Sequence, residues 1–232
     1  MKKAFTMLEL IFVIVIVGIL SFVAASSFQR NTLREAADQL VSHIRYTQHL
    51  AMMDDKFDPA NSTWFLERWT IRIKKDLLYA GAYVPNGNFT GKWACTVYSD
   101  TSHDGNPNPS EMARNPLNNT QYLSGGYNNT LHFEDSSSMK SLRLGEQYGI
   151  IDIVFGRGCR SDTPFVHFDY LGRPMNSFST AQAYELPAPG RHKLLTAPCE
   201  ITLCDKDCTD ASAQKVVIAI EPETGYTHIL PN

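Results

Sequence analysis

The chain has 232 residues, 43% of them hydrophobic and 19% charged, with a formal net charge of −3. Those values exclude a disordered or collagen-like chain and suit one globular domain with an appendage. Lys2 and Lys3 stand before a long apolar run, so the rest carries −3 − 2 = −5, which argues against a general nucleic-acid binder.

From Leu10 to Ala25 only Gly18 and Ser21 interrupt a run of Ile, Val, Leu, Phe and Ala. With Phe5 to Leu8 included, the run reaches the ~20 residues that a bilayer-spanning helix needs. Lys2 and Lys3 predict a cytoplasmic amino end and an exported remainder. A secretory signal peptide cut at "VAA", Val23 to Ala25, and a simple signal anchor are the plain alternatives. Neither accounts for Glu9, a carboxylate that costs roughly 2.5–3.5 kcal/mol at mid-helix in lipid.

The stretch "AFTMLELIFVIVIVGIL" resembles the leader of the type IV pilin and pseudopilin family. The resemblance implies that a prepilin peptidase cuts between Ala4 and Phe5 and that the freed Phe5 amine is N-methylated. It also implies that Glu9 pairs with a mature amino terminus during filament assembly, a cation that turns an isolated charge into a paired one. Ala4 stands where the family usually has glycine. The implied partners are the peptidase, other pilin or pseudopilin subunits, an inner-membrane assembly platform and membrane lipid.

After Ser27 the chain turns polar and holds no proline until Pro59. Leu33, Ala36, Ala37, Leu40, Val41, Ile44, Ala51 and Met52 recur at three- and four-residue intervals, one apolar stripe. This predicts a single helix from about Phe5 to Met53, about 70 Å long. Its first half would lie in membrane or filament core, and its second, amphipathic half would carry a head. His43 and His49 on this helix read as surface or boundary residues.

Beyond Asp54 the period shortens. "WTIRI", "KWACTVYS", "IIDIVFG", "PFVHFDY", "CEITL" and "KVVIAI" read as strands, and "EPETGY" as the turn of a closing hairpin. "SSSMKSLRLGEQYG" is the one candidate short helix. The expected fold is α+β: a leader over 1–4, a transmembrane and assembly helix over 5–53, and a β-rich periplasmic head over 54–232. The expected location is a single pass of the bacterial inner membrane with a cytoplasmic amino terminus, then the filament.

In the head, "DTSHDGNPNPSE" sets Asp100, Ser102 and Asp104 at positions one, three and five of a twelve-residue calcium loop. Gly105, the Asn106 carbonyl, Asn108 and Glu111 follow at six, seven, nine and twelve, an all-oxygen set suited to a hard cation. Ser102 and Pro107 depart from the usual pattern, and the preceding segment reads as strand. A polar surface loop is the plain alternative. Calcium is the one cofactor that the sequence suggests.

The cysteines at 95, 159, 199, 204 and 208 read as disulfide candidates behind an export signal. A local bridge among Cys199, Cys204 and Cys208 is favoured over zinc, because their spacing is not a standard knuckle. Cys95 and Cys159 are left as a second bridge or as buried thiols. Arg68, Arg72, Lys74 and Lys75 could form a basic strip. There is no nucleophile elbow, no H-E-x-x-H and no phosphate loop, and His132, His167 and His228 read as packing or surface residues.

"LVSHIRYTQHLAMMDDK", "FDYLGRP" and "IAIEPETGY" resemble H-like minor pseudopilins of type II secretion. That implies a non-catalytic, low-copy filament subunit. The alternatives are a minor pilin whose head binds DNA or a surface ligand, and a membrane-anchored periplasmic enzyme.

Overall fold

The computed structural model describes residues 7–27, 31–75, 92–126, 131, 133, 135–160, 164–176, 182–185 and 193–231. The chain divides into two compact units, Met1–Asn31 and Thr32–Asn232. The first contains helix α1, Met7–Ser27. The second contains α2, Thr32–Met53, and everything after it. The expected single helix over 5–53 is therefore not present. Helical periodicity is read over three or four residues at a time and does not tell whether two helical stretches form one body. The fold is a β-rich domain with short helices.

The membrane assignment is corrected as well. Among the described residues, no helix is long and apolar enough to cross a membrane. A single pass of the inner membrane is not supported.

The second unit is built on two four-stranded antiparallel sheets. One joins β1 (Trp69–Lys75), β2 (Trp93–Ser99), β6 (Phe165–Phe168) and β7 (Pro174–Met175) in the order β2-β1-β6-β7. The other joins β5 (Asp152–Arg157), β8 (Cys199–Cys204), β9 (Lys215–Ile220) and β10 (Thr227–Ile229) in the order β10-β9-β8-β5. A small ladder pairs β3 (Arg114–Asn115) with β4 (Asn118–Tyr122), and α3 covers Leu144–Tyr148. Strands β1, β2, β5, β6, β8 and β9 fall on the expected β-branched and aromatic runs, β3, β4 and β7 lie outside them, and β9–β10 is the closing hairpin around residues 221–226.

The stripe of α2 packs against strands of both sheets, β1 and β6 on one and β8, β9 and β10 on the other. Leu33, Ala36, Ala37, Leu40, Val41, Ile44 and Ala51 are buried in that seam, whereas Met52 is 48% exposed. His43, expected near the surface, is buried with them. All seven residues of β2 are buried, because a second apolar cluster of Ala94, Tyr98, Met112, Leu131 and Phe133 gathers around it. Two-sided burial brings polar residues inside with their partners, as where the Thr96 and Ser124 hydroxyls meet at 2.8 Å.

Gln48 ties α2 to two distant turns. Its Nε2 donates to the carbonyl oxygens of Gly172 and Thr224, each at 2.8 Å. Gly225, with φ +65°, lies against the same amide, and a Cβ there would stand 2.4 Å from Gln48 Nε2 and 2.5 Å from the Gly172 oxygen. Gly225→Ala is expected to cost about 2 kcal/mol, combining left-handed backbone strain with overpacking. Urea unfolding measures it. A loss below a few tenths of a kcal/mol would show that the contact yields freely.

Candidate functional site

Pairing between β2 and the chain beyond it brings the ends of the 100–111 loop together. Ser99 N donates to Glu111 O at 3.0 Å and Ala113 N to Val97 O at 2.9 Å. Asp100 and Glu111, eleven residues apart, thus become neighbours at the mouth of the loop, both buried. Asp104 is exposed and turns back towards them. Carboxylate oxygens of Asp100, Asp104 and Glu111 lie within 4.8 Å of one another.

The loop's own amides and hydroxyls hold these groups in place. Glu111 Oε1 accepts from Ser102 N at 2.6 Å and from Thr101 Oγ1 at 3.1 Å, and Oε2 accepts from Asn108 N at 2.9 Å. Asp100 accepts from Gly105 N at 2.9 Å and Asp104 N at 3.2 Å. Asp104 Oδ1 accepts from Asn106 N at 2.7 Å, and Asn108 Nδ2 donates to Asp104 Oδ2 at 3.1 Å and to Ser102 Oγ at 3.2 Å. Gly105 has φ +77°, the left-handed backbone for which position six of a calcium loop uses glycine. Its carbonyl accepts from Arg72 Nη1 at 3.2 Å.

The two buried carboxylates titrate in opposite directions. Burial pushes the Asp100 carboxyl up, and the charges of Glu111 and Asp104 add to this against the amides of Gly105 and Asp104. Burial also raises Glu111, but hydrogen bonds from Asn108 and Ser102 outweigh it and hold the group below its ordinary range. Three hard oxygen donors at this separation suit a divalent cation of the calcium class, with no nitrogen or sulfur donor among them. The loop joins strand to strand, without the helices that usually flank such a site.

The cysteines form Cys159–Cys199 and Cys204–Cys208, and Cys95 is a buried thiol whose pKa burial raises. No Cys95–Cys159 bridge is present. The expected basic strip is not assembled, since Arg68 is buried and Arg72 reaches the 100–111 loop. His167 is buried beside Phe165, and His228 pairs with Glu221 at 2.9 Å. His132, Ala4 and Phe5 lie outside the described residues. Glu9 sits in the first turn of α1 and is exposed. Sequence reasoning missed the group of Arg68, Asp169 and Lys193, all buried, with the half-buried Tyr184, whose members come from four separate stretches of chain. No protein-family model, curated protein or solved structure matches the chain.

Proposed function

We propose that the chain is a minor pilin-like structural subunit that assembles into a filament of the type II secretion or type IV pilus kind, through α1. The observation that carries this reading is the surface of α1. Its described apolar side chains are exposed, from 45% at Ile16 to 83% at Met7, and they cover every face of the helix. A helix that is apolar all round requires burial against other apolar surface. Equivalent helices of neighbouring subunits would supply it, and Glu9 would meet the Phe5 amine freed by prepilin peptidase. The role is structural, with no catalysis.

Glu9→Val tests it. Filament incorporation is expected to fall severalfold while the amount of folded protein is unchanged, and intact mass is expected to show Phe5, methylated, as the amino terminus. Normal incorporation of the variant would remove Glu9 from assembly, and an uncleaved chain would remove the family reading.

The proximity of Asp100, Asp104 and Glu111 supports a second role, calcium binding by the 100–111 loop, with Ser102, Asn108 and the Asn106 carbonyl assisting. Calcium at tenfold excess over its Kd is expected to raise the melting temperature by about 3–5 °C relative to chelator. Glu111→Gln is expected to abolish the rise. Superimposable melts at millimolar calcium would leave the segment a polar loop.

A further inference from the structure

Exposed apolar side chains gather where α2 ends. Met52, Met53, Phe57, Tyr170, Leu171 and Tyr226 are all open to solvent, from 44% at Tyr170 to 72% at Met53. They come from three stretches of chain that the fold holds side by side. A Cβ at Gly172 would stand 3.0 Å from Met52 Sδ, so the 169–173 turn rests on the last turn of α2. Tyr170 shares the wall of a small cleft with Ala51, Asp54 and Trp64, and the Phe57 ring meets Trp64 edge-on at 5.1 Å. Gln48, one turn before Met52, holds the 221–226 turn through Thr224 O. Tyr226 on that turn extends the surface along the helix to Arg45, whose guanidinium lies 5.6 Å from its ring centroid. Single exposed apolar residues are ordinary, but a group drawn together from separate stretches marks a contact surface. Two of the six are methionines, whose unbranched side chains adapt to a partner's shape.

The charge around this surface selects what covers it. A helix carries partial negative charge at its carboxyl end and is stabilised there by cations. α2 has no basic residue in its last turn, and Asp54 and Asp55 follow it directly. Lys56 pairs with Asp54 at 2.6 Å. Asp55 and Asp58 accept from the backbone amides of Phe57 and Ala60 and have no cation partner among the described residues. Glu223, exposed on the neighbouring turn, has none either. The nearby arginines are committed inside the chain. Arg45 Nε and Nη2 donate to Thr227 O, and Arg173 Nη2 pairs with Asp169 Oδ2 at 2.7 Å.

The apolar surface is thus rimmed by carboxylates at a helix end that itself favours a cation. Two copies of this face would set like charges against each other, and an anionic lipid surface would be repelled in the same way. We propose that the carboxyl end of α2 and its two flanking turns form a docking surface for a basic, apolar segment of a partner protein. Large apolar side chains of that segment seat on the methionines, and its lysines or arginines reach Asp55, Asp58 and Glu223.

The test uses the full chain in non-ionic detergent, isotope-labelled at its methionine methyls. The probes are an amphipathic leucine–lysine peptide and its leucine–glutamate counterpart of equal length. The lysine peptide is expected to shift the Met52 and Met53 signals saturably and to leave Met7 on α1 and the buried Met112 and Met175 unmoved. Its affinity is expected to fall about tenfold in the triple variant Asp55→Lys, Asp58→Lys, Glu223→Lys, whose changes all lie at exposed positions. The glutamate peptide is expected to leave Met52 and Met53 in place. Equal shifts from the two peptides, no shift from either, or Met7 moving in step with Met52 overturns the proposal. Signals of Met52 and Met53 that move with protein concentration alone would assign the surface to a second copy, and signals that move with detergent alone would assign it to lipid. Either result overturns it too.

Discussion

Replacing both Cys159 and Cys199 by alanine is expected to cost about 4 kcal/mol, and replacing Cys204 and Cys208 about half as much. The first bridge joins residues 40 apart, the second residues 4 apart. A cross-link acts mainly by shrinking the unfolded ensemble, and the loop-closure relation gives about 4 kcal/mol for the longer loop and about 2 for the shorter. Each bridge has one fully buried member in β8, Cys199 or Cys204, so loop length is the main difference between them, with the packing of Cys159 on the core cluster adding to the first. For a head of this size the longer bridge corresponds to a fall in melting temperature of about 8–16 °C. Urea unfolding of the two double variants, under non-reducing conditions, gives the comparison. Equal losses would show that loop length is not the source of the difference.

Acid is expected to weaken the fold through His43 between about pH 6.5 and pH 4. The imidazole is 7% exposed on the packed face of α2, and its Nε2 has no hydrogen-bond partner. Burial lowers its pKa from 6.5 to about 4. Below pH 6.5 the unfolded chain takes up a proton that the folded chain refuses, so unfolding gains as pH falls. The stabilisation tied to the neutral ring is complete above pH 6.5, and about 3 kcal/mol of it is gone below pH 4. Carboxylates titrate in the same range, so the measurable quantity is a difference between two proteins. His43→Leu, close in volume and without a titrating group, is expected to gain about 3 kcal/mol on the unaltered chain between pH 7 and pH 4. Parallel stability profiles would mean that His43 is hydrated or protonated in the folded state.

Much of the molecule is readable from local pattern. Strands β1, β2, β5, β6, β8 and β9 follow from runs of four to seven residues rich in β-branched and aromatic side chains, and the buried face of α2 from the three- and four-residue spacing of Leu33 through Ala51. The grouping of Asp100, Asp104 and Glu111 was legible in the calcium-loop spacing, although it is the pairing of Ser99 and Val97 with the chain beyond the loop that draws its ends together. The extent of the helices was not. Absence of proline permits one helix over 5–53 without compelling it, and each stretch settles according to what it packs on. Sheet contacts claim α2 for the head, and α1 belongs to a separate unit.

Tertiary structure alone decided the rest, wherever the deciding partner is far away in the chain. Five cysteines allow many pairings, and only the register of β8 against β5, with Cys199 opposite Arg157, brings Cys199 to Cys159. Gln48 reads as one polar position among several until two turns more than 120 residues away converge on its amide. His43 reads as a boundary residue because its neighbours along the helix are mixed, and two sheets closing over α2 bury it. Arg68 reads as one member of a basic strip, yet Trp64 and Tyr184 take it inside. Periodicity describes which way a side chain faces, and burial depends on what arrives to cover it.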